Sequence, residues 1–326
     1  MAKETLPLLA QLIHHDAFAT AYTDLEEIIS VRDPASGLIV PLLGPTRVGK
    51  SALLSLLRRR LSRPATGGLF PTDDFVIGKL APKPSDRDIY RSVLQAVKAK
   101  WRRGEDVADL RKRVFYAIKE IGVQVIAIDE CNHCAERGAH LSARAAADHF
   151  KTIADETGVT LLLVGLPRFQ SILEGNEQMR DRSSNTVFLL PYDWQKENER
   201  DAFVGVVVAA LDAIAQSRID LECGFEDVAP RLYGASGGRV PVALRMLKSA
   251  LLRRKQGESF SLDLLRPVAR GMQQFPISPL AFFTDEIPDD VMLIRSFATI
   301  MSEAGLAFEA DTLDGVQVTW DMRAAS

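Results

Sequence analysis

Residues 42–54 read LLGPTRVGKSALL, and this stretch decides the fold. Upstream, LIVPLL (38–43) is a short oily run that predicts a buried strand. Downstream, Leu53, Leu54, Leu56 and Leu57 recur at helical spacing from Ser51 to Leu61. The eight residues between them, GPTRVGKS, match G-x-x-x-x-G-K-[ST], a loop that requires a strand before it and a helix after it. Its chemistry follows from the backbone. Unpaired N–H groups at the helix start point outward, and the helix dipole adds partial positive charge. Gly44 and Gly49 let the chain curl and let phosphate oxygens approach closely. Lys50 reaches β- and γ-phosphates, and Ser51 offers a hydroxyl to Mg²⁺. The expected ATP-binding residues are therefore Gly44, Pro45, Thr46, Arg47, Val48, Gly49, Lys50, Ser51 and Ala52.

Working outward, VQVIAIDE (123–130) is an apolar strand that ends in two acids. Open α/β sheets bind ligands at the C-terminal ends of their strands. Asp129 is placed to hold Mg²⁺ and Glu130 to polarise the water that attacks the γ-phosphate. Having Glu directly after Asp favours hydrolysis over transfer to a second substrate. DFVIGKLA and VTLLLVGLP add two more strands, the latter closed by Gly165 and Pro167. Three helices are predicted between them: SDRDIYRSVLQAVKAKW with Ser85 as N-cap and Asp88 at its third position, ADLRKRVFYAIKEIG stopped at Gly122, and ARAAADHFKTIADETG. Strands alternating with helices predict a mostly parallel α/β sheet with right-handed crossovers.

The expected organisation is a helical lead-in over 1–37, the α/β domain over 38–191, an all-helical lid over 192–275 and an acidic appendix over 276–326. From Phe282 onward nine acids face two bases, although the whole chain carries a net charge of only −3. Phe282, Phe283, Ile287, Val291, Met292, Leu293, Ile294 and Phe297 are too many for a disordered acidic tail. The segment reads as a small element packed on the lid, a docking segment or a mimic of DNA, with a hairpin over 306–320 turned at Asp314-Gly315. Three cysteines among 326 residues argue against a disulfide framework and fit a reducing cytoplasm. Neither a membrane span nor a signal peptide is expected.

Taken together, the phosphate loop, the acidic strand end and the helical C-terminal half resemble a AAA+ ATPase. GVQVIAIDE, DHFKTIADETGVTLLLVGLPRFQSIL, NEQMRDRSSNTVFLLPYDW and ASGGRVPVALRMLKSAL are similar to the TniB/TnsC family of AAA+ regulators of DNA transposition, over about residues 38–255. The resemblance implies a trans-acting finger at Arg182, with Arg180 as the fallback, reaching a neighbouring subunit's ATP. It implies a second sensor at Arg239, at the start of a lid helix. Leu166 stands where the family often has a polar sensor. Assembly as a ring or helical filament, duplex DNA, a transposase and a target-selection protein are the implied partners.

KAKWRRGEDVADLRKR (98–113) holds seven bases and three acids. Lys98, Lys100, Arg102 and Arg103 cluster around Trp101, where the resembled family places a DNA-tracking loop; the alternative is a solvated helix face. DECNHCAERGAH contains Cys131, His133, Cys134 and His140, but the spacing fits no familiar zinc site, and the plainer reading is a helix start with Asn132 near the γ-phosphate. The motifs point to an ATPase, and the resemblance implies one that assembles on DNA with ATP and engages a transposase. A switch that remodels a protein partner, and a scaffold that binds nucleotide without hydrolysing it, are the alternatives.

Overall fold

The computed structural model describes residues 9–31 except 10 and 13, then 36–62, 74–135, 141–272 and 277–306. The predicted hairpin around Asp314-Gly315 lies outside the described residues. The chain divides into two compact units: residues 19–189, and the described residues up to Phe18 together with those from Leu190 onward.

The first unit is built on a five-stranded sheet. Helix α1 (Asp16–Ser30) leads into β1 (Leu38–Leu43), α2 (Lys50–Leu61), β2 (Phe75–Lys79), α3 (Asp86–Ala96), α4 (Val107–Ile121), β3 (Val125–Asp129), α5 (Ala143–Thr157) and β4 (Thr160–Gly165). Two short helices, α6 (Gln170–Glu174) and α7 (Glu177–Arg180), precede β5 (Val187–Phe188). The strand order is β2-β3-β4-β1-β5, and every pairing is parallel. A parallel sheet covered on both faces needs continuous apolar strands, and β4 is buried at all six positions. One face packs Tyr90, Val93 and Leu94 of α3, Leu110 and Val114 of α4, and Phe150 and Ile153 of α5 into a single core.

Local chemistry sets the ends of the helices. The Asp88 carboxylate accepts from Ser85 N at 2.9 Å and Ser85 Oγ at 2.6 Å, which fixes the start of α3. Helix α4 stops where Gly122 turns left-handed at φ 74°. Helix α3 ends five residues earlier than the sequence suggests. Lys98 takes a left-handed φ of 56°, and Ala99 N donates back to Leu94 O at 2.8 Å, closing the helix as glycine usually does. Residues 97–106 are therefore a connection between α3 and α4, and Lys98, Lys100, Arg102 and Arg103 lie on it rather than on a helix. Strand β5 escapes a reading by pattern because two residues carry no alternation.

The second unit is helical: α8 (Glu197–Gln216), α9 (Phe225–Ser236), α10 (Val240–Arg253), α11 (Leu262–Arg270) and α12 (Asp290–Ala304). They share one core that includes Phe203, Leu232, Tyr233, Leu247 and Phe260. The described part of the acidic segment belongs to that core, for Phe282, Phe283, Leu293 and Phe297 are buried in it. The fully buried Arg231 fixes the approach to α12: it pairs with Asp227 at 2.9 Å and donates to the carbonyls of Phe282 and Thr284 at 3.1 and 2.6 Å. A guanidinium removed from water needs several acceptors at once, and this one finds them in the backbone of the segment.

Candidate nucleotide site

The C-terminal edge of the sheet gathers the chemistry. The register sets Lys79 of β2 beside Asp129 of β3, and Leu43 of β1 beside Gly165 of β4 and Phe188 of β5. The loop from Gly44 to Gly49 leaves β1 at this edge and enters α2. Gly44 N donates to Gly165 O at 3.1 Å, and Leu189 N donates to Leu43 O at 2.9 Å, so both neighbouring strands anchor the loop. A Cβ on Gly44 would lie 2.1 Å from the Leu189 carbonyl oxygen, so only glycine fits. Gly49 caps α2 at φ 121°, a conformation that favours glycine, and contributes no side-chain hydrogen bond to the helix start. The first-turn N–H groups of a 12-residue helix are thus left for an anion.

Lys50 leans back over this loop. Its Nζ donates to Gly44 O at 2.6 Å and Pro45 O at 2.7 Å. Burial lowers its pKa to about 8, opposed by the charges of Asp129 and Glu130. These neighbours place the lysine ammonium between the loop and the acidic strand end. Pro45 and Val48 are buried, Thr46, Arg47 and Ser51 are exposed, and Ala52 is half-buried behind Ser51.

At the end of β3, burial raises the Asp129 pKa, and the Glu130 charge pushes the same way. The Asp129 Oδ1 accepts from Glu130 N at 2.8 Å. Glu130 itself sits at φ 63°, a left-handed conformation that costs a non-glycine residue about 1–3 kcal/mol and clusters at functional sites. Its carboxylate lies 3.5 Å from Lys79 Nζ, a partner that no local pattern in the sequence indicates. Asp129 and Glu130 are both half-buried, and carboxylate and hydroxyl oxygens such as theirs and that of Ser51 are the hard donors that suit Mg²⁺.

Arg182 does not join this edge. The Arg182 carbonyl accepts from Ile39 N at 2.9 Å, near the start of β1. Ile39 lies five residues before Gly44, about 16 Å at the roughly 3.3 Å rise of a strand. Arg182 therefore stands toward the opposite end of the sheet from its own phosphate loop. Its half-exposed side chain pairs with Asp155 of α5 at 2.9 Å. Arg180, at the end of α7, is exposed. Arg239 belongs to the helical unit, where it is buried at the N-cap of α10 with Nε donating to Ser236 O at 2.6 Å. Leu166, half-buried, follows β4 directly.

On the 97–106 connection, Lys98, Lys100, Trp101, Arg102 and Arg103 are all exposed. Glu105 organises the turn: it accepts from Arg102 N at 3.0 Å and pairs with Arg113. The Cys131 thiol is buried and donates to Ile128 O at 3.1 Å, and burial raises its pKa well above the ordinary value. His140 lies outside the described residues. Among the described residues no group of three or more His, Cys, Asp and Glu side chains could hold a metal ion, and no helix is long and apolar enough to cross a membrane.

A family model described as "Bacterial TniB protein" matches residues 9–191. No curated protein matches the chain. Among solved structures the chain is similar to the ORC2 protein of Aeropyrum pernix in its ADPNP–ADP complexes, at 17% identity and a TM-score of 0.53 over 78% of this chain and 66% of that one. It is similar to the ORC1 protein of the same organism in complex with DNA, at 16% identity and a TM-score of 0.53 over 76% of this chain and 64% of that one. It is also similar to Cdc6p from Pyrobaculum aerophilum, at 14% identity and a TM-score of 0.50 over 84% of this chain and 77% of that one. The chain spans just under two thirds of the length of each ORC protein. At these identities the likeness is one of fold, the AAA+ fold.

Proposed function

The chain belongs to the TniB family, and from that premise we propose that it is an ATP-dependent regulator of DNA transposition. It binds ATP, assembles on duplex DNA as a ring or helical filament, and recruits or activates a transposase with a target-selection protein. ATP hydrolysis then takes the assembly apart. The observation that carries the ATPase reading is the single sheet edge that holds the glycine-only loop, the half-buried Lys50 and the Asp129–Glu130 pair.

In this reading the loop backbone from Gly44 to Ala52 and the Lys50 ammonium hold the β- and γ-phosphates. Magnesium, held by Ser51 and Asp129, supplies neutralising charge when bound. Glu130 takes the proton of the water that attacks the γ-phosphorus. The distance between Arg182 and its own loop supports a role toward a neighbour's ATP, where a trans arginine neutralises charge spreading over the γ-phosphate. ATP then favours assembly because it touches two subunits. Arg239 is proposed as a second nucleotide sensor from the family resemblance alone. The proposed compartment is the cytoplasm.

The exposed bases Lys98, Lys100, Arg102 and Arg103 support the DNA contact, and the A. pernix ORC1 structure contains DNA. A chain of net charge −3 can still coat DNA if every copy in an assembly adds the same basic loop. Phosphate contacts of this kind are independent of base sequence and weaken with salt. Charge reversal at Arg102 and Arg103 is expected to weaken DNA binding at least tenfold. It should also flatten the log–log salt dependence by about two units, near 0.9 for each phosphate no longer neutralised. Fluorescence anisotropy of labelled duplex across a salt series reads both effects, with ATP-analogue affinity as the control. Unchanged DNA affinity in the charge-reversed protein defeats the assignment of this loop.

A further inference from the structure

Asn132 is a buried polar side chain beside the acidic strand end that the site described so far leaves unused. It lies in the 3-10 turn Cys131–Ala135 that follows the acidic strand end, and it is only 3% exposed. Its Oδ1 is sealed from solvent and has no hydrogen-bond partner. A buried amide oxygen without a donor is expensive to keep, so such a group calls for an explanation. Position supplies one. A Cβ built on Gly165 would lie 3.0 Å from Asn132 N and 3.3 Å from Asn132 Oδ1, so the asparagine occupies the space a side chain at the end of β4 would fill. The Gly165 carbonyl in turn accepts from Gly44 N, the first residue of the phosphate loop. Asn132 is thus one residue removed from the loop, on the edge that carries Asp129 and Glu130. The residue after Gly165 is Leu166, which has no polar atom to offer there.

On the same sheet edge Asp129 and Glu130 are acceptors when ionised, and the Lys50 ammonium spends two of its three N–H groups on Gly44 O and Pro45 O. A water can serve, because it donates one proton to an amide oxygen and keeps the other for a base. The χ2 torsion of asparagine is broad and roughly two-fold, so the amide can reorient at fixed backbone.

We propose that Asn132 is a positioning residue for the hydrolytic water, doing from the β3 turn what Leu166 cannot do from the end of β4. This rests on the hydrolytic reading given above. The water oxygen bonds to the γ-phosphorus, the bond from that phosphorus to the bridging oxygen of ADP breaks, and Glu130 accepts the water's proton. Asn132 is unchanged throughout; it holds the water's second O–H so that a lone pair faces phosphorus.

The test is steady-state hydrolysis by Asn132→Ala and Asn132→Leu, with ATP-analogue affinity and thermal unfolding measured alongside. In both variants kcat is expected to fall about thirtyfold, within the span of a positioned group. Analogue affinity should stay within about twofold and Tm should not fall, since each variant removes an unsatisfied buried oxygen. Leu166→Asn placed in the Asn132→Ala background should recover at least about tenfold, because it returns an amide to the neighbouring strand end. A residue that merely packs would not respond in this way. Wild-type turnover in both variants overturns the inference, and so does a loss of analogue affinity parallel to the loss of kcat. Wild-type protein that binds ATP and DNA without hydrolysing ATP overturns the hydrolytic reading itself, a result visible before any variant is made.

Discussion

Glu130→Gln is expected to bind ATP as the wild type does and to hydrolyse it about a thousandfold more slowly, the scale of a lost general base. The substitution keeps the size of the side chain and the backbone at φ 63°, and it removes the ability to take a proton together with the negative charge that faces Lys79. In the proposed reading nucleotide binding rests on other groups, the Gly44–Ala52 backbone and Lys50. If hydrolysis disassembles the protein, the variant should stay on duplex DNA with ATP far longer than the wild type. Phosphate release and dissociation of labelled DNA after dilution read the two effects separately. Hydrolysis at the wild-type rate would remove Glu130 from the role of base.

Glu130→Gly sharpens the same argument. The left-handed conformation costs a residue with a Cβ about 1–2 kcal/mol. Glycine's extra freedom in the unfolded chain costs only roughly 0.4–1 kcal/mol. The ion pair with Lys79 spans 3.5 Å between side chains that are 68% and 38% exposed, so its loss counts for little. The glycine variant should therefore melt at or slightly above the wild-type temperature while losing the same turnover. Turnover lost with no fall in Tm would mark the strained position as functional rather than structural.

How much of this was legible in the sequence depends on the range over which each feature is encoded. The loop could be read because its demands are local: Gly44 must be glycine since the Leu189 carbonyl crowds it, and Lys50 must follow a residue that tolerates φ 121°. The acidic strand end could be read because a run of buried apolar residues that stops in two carboxylates is itself a pattern. The helices of the second unit were legible from their periodicity, although Pro230 and Pro267 lie inside two of them. The end of α3 was hidden because Lys98 takes the left-handed turn usually given to glycine. Pairings between distant residues were hidden as well. Nothing near Arg182 announces Asp155, and nothing near Glu130 announces Lys79, because the sheet register alone brings them together. Asn132 could be suspected from its place after the acids, but its unsatisfied oxygen exists only in three dimensions.

Arg182 leads to the most demanding expectation. If it acts on a neighbour's ATP, Lys50→Ala and Arg182→Ala should each be nearly inactive, yet a mixture of the two should regain activity. Lys50→Ala removes the ammonium that holds the phosphates and should cost at least about a hundredfold in ATP affinity, the scale of a charge-assisted contact. Arg182→Ala should leave affinity nearly intact and lower turnover by about a thousandfold or more, as loss of a trans arginine does. Asp155, which pairs with Arg182 at 2.9 Å, is then free but only part-buried, so stability should change little. In a head-to-tail assembly each interface takes its loop from one subunit and its arginine from the next. Random mixing of equal amounts makes about one interface in four complete, with an intact Lys50 from an Arg182→Ala subunit facing an intact Arg182 from a Lys50→Ala subunit. Turnover near a quarter of wild type places the arginine in trans. A mixture no more active than its parts, with both variants folded and able to assemble, means that Arg182 serves no neighbouring nucleotide. Its pairing with Asp155 would then be its whole role.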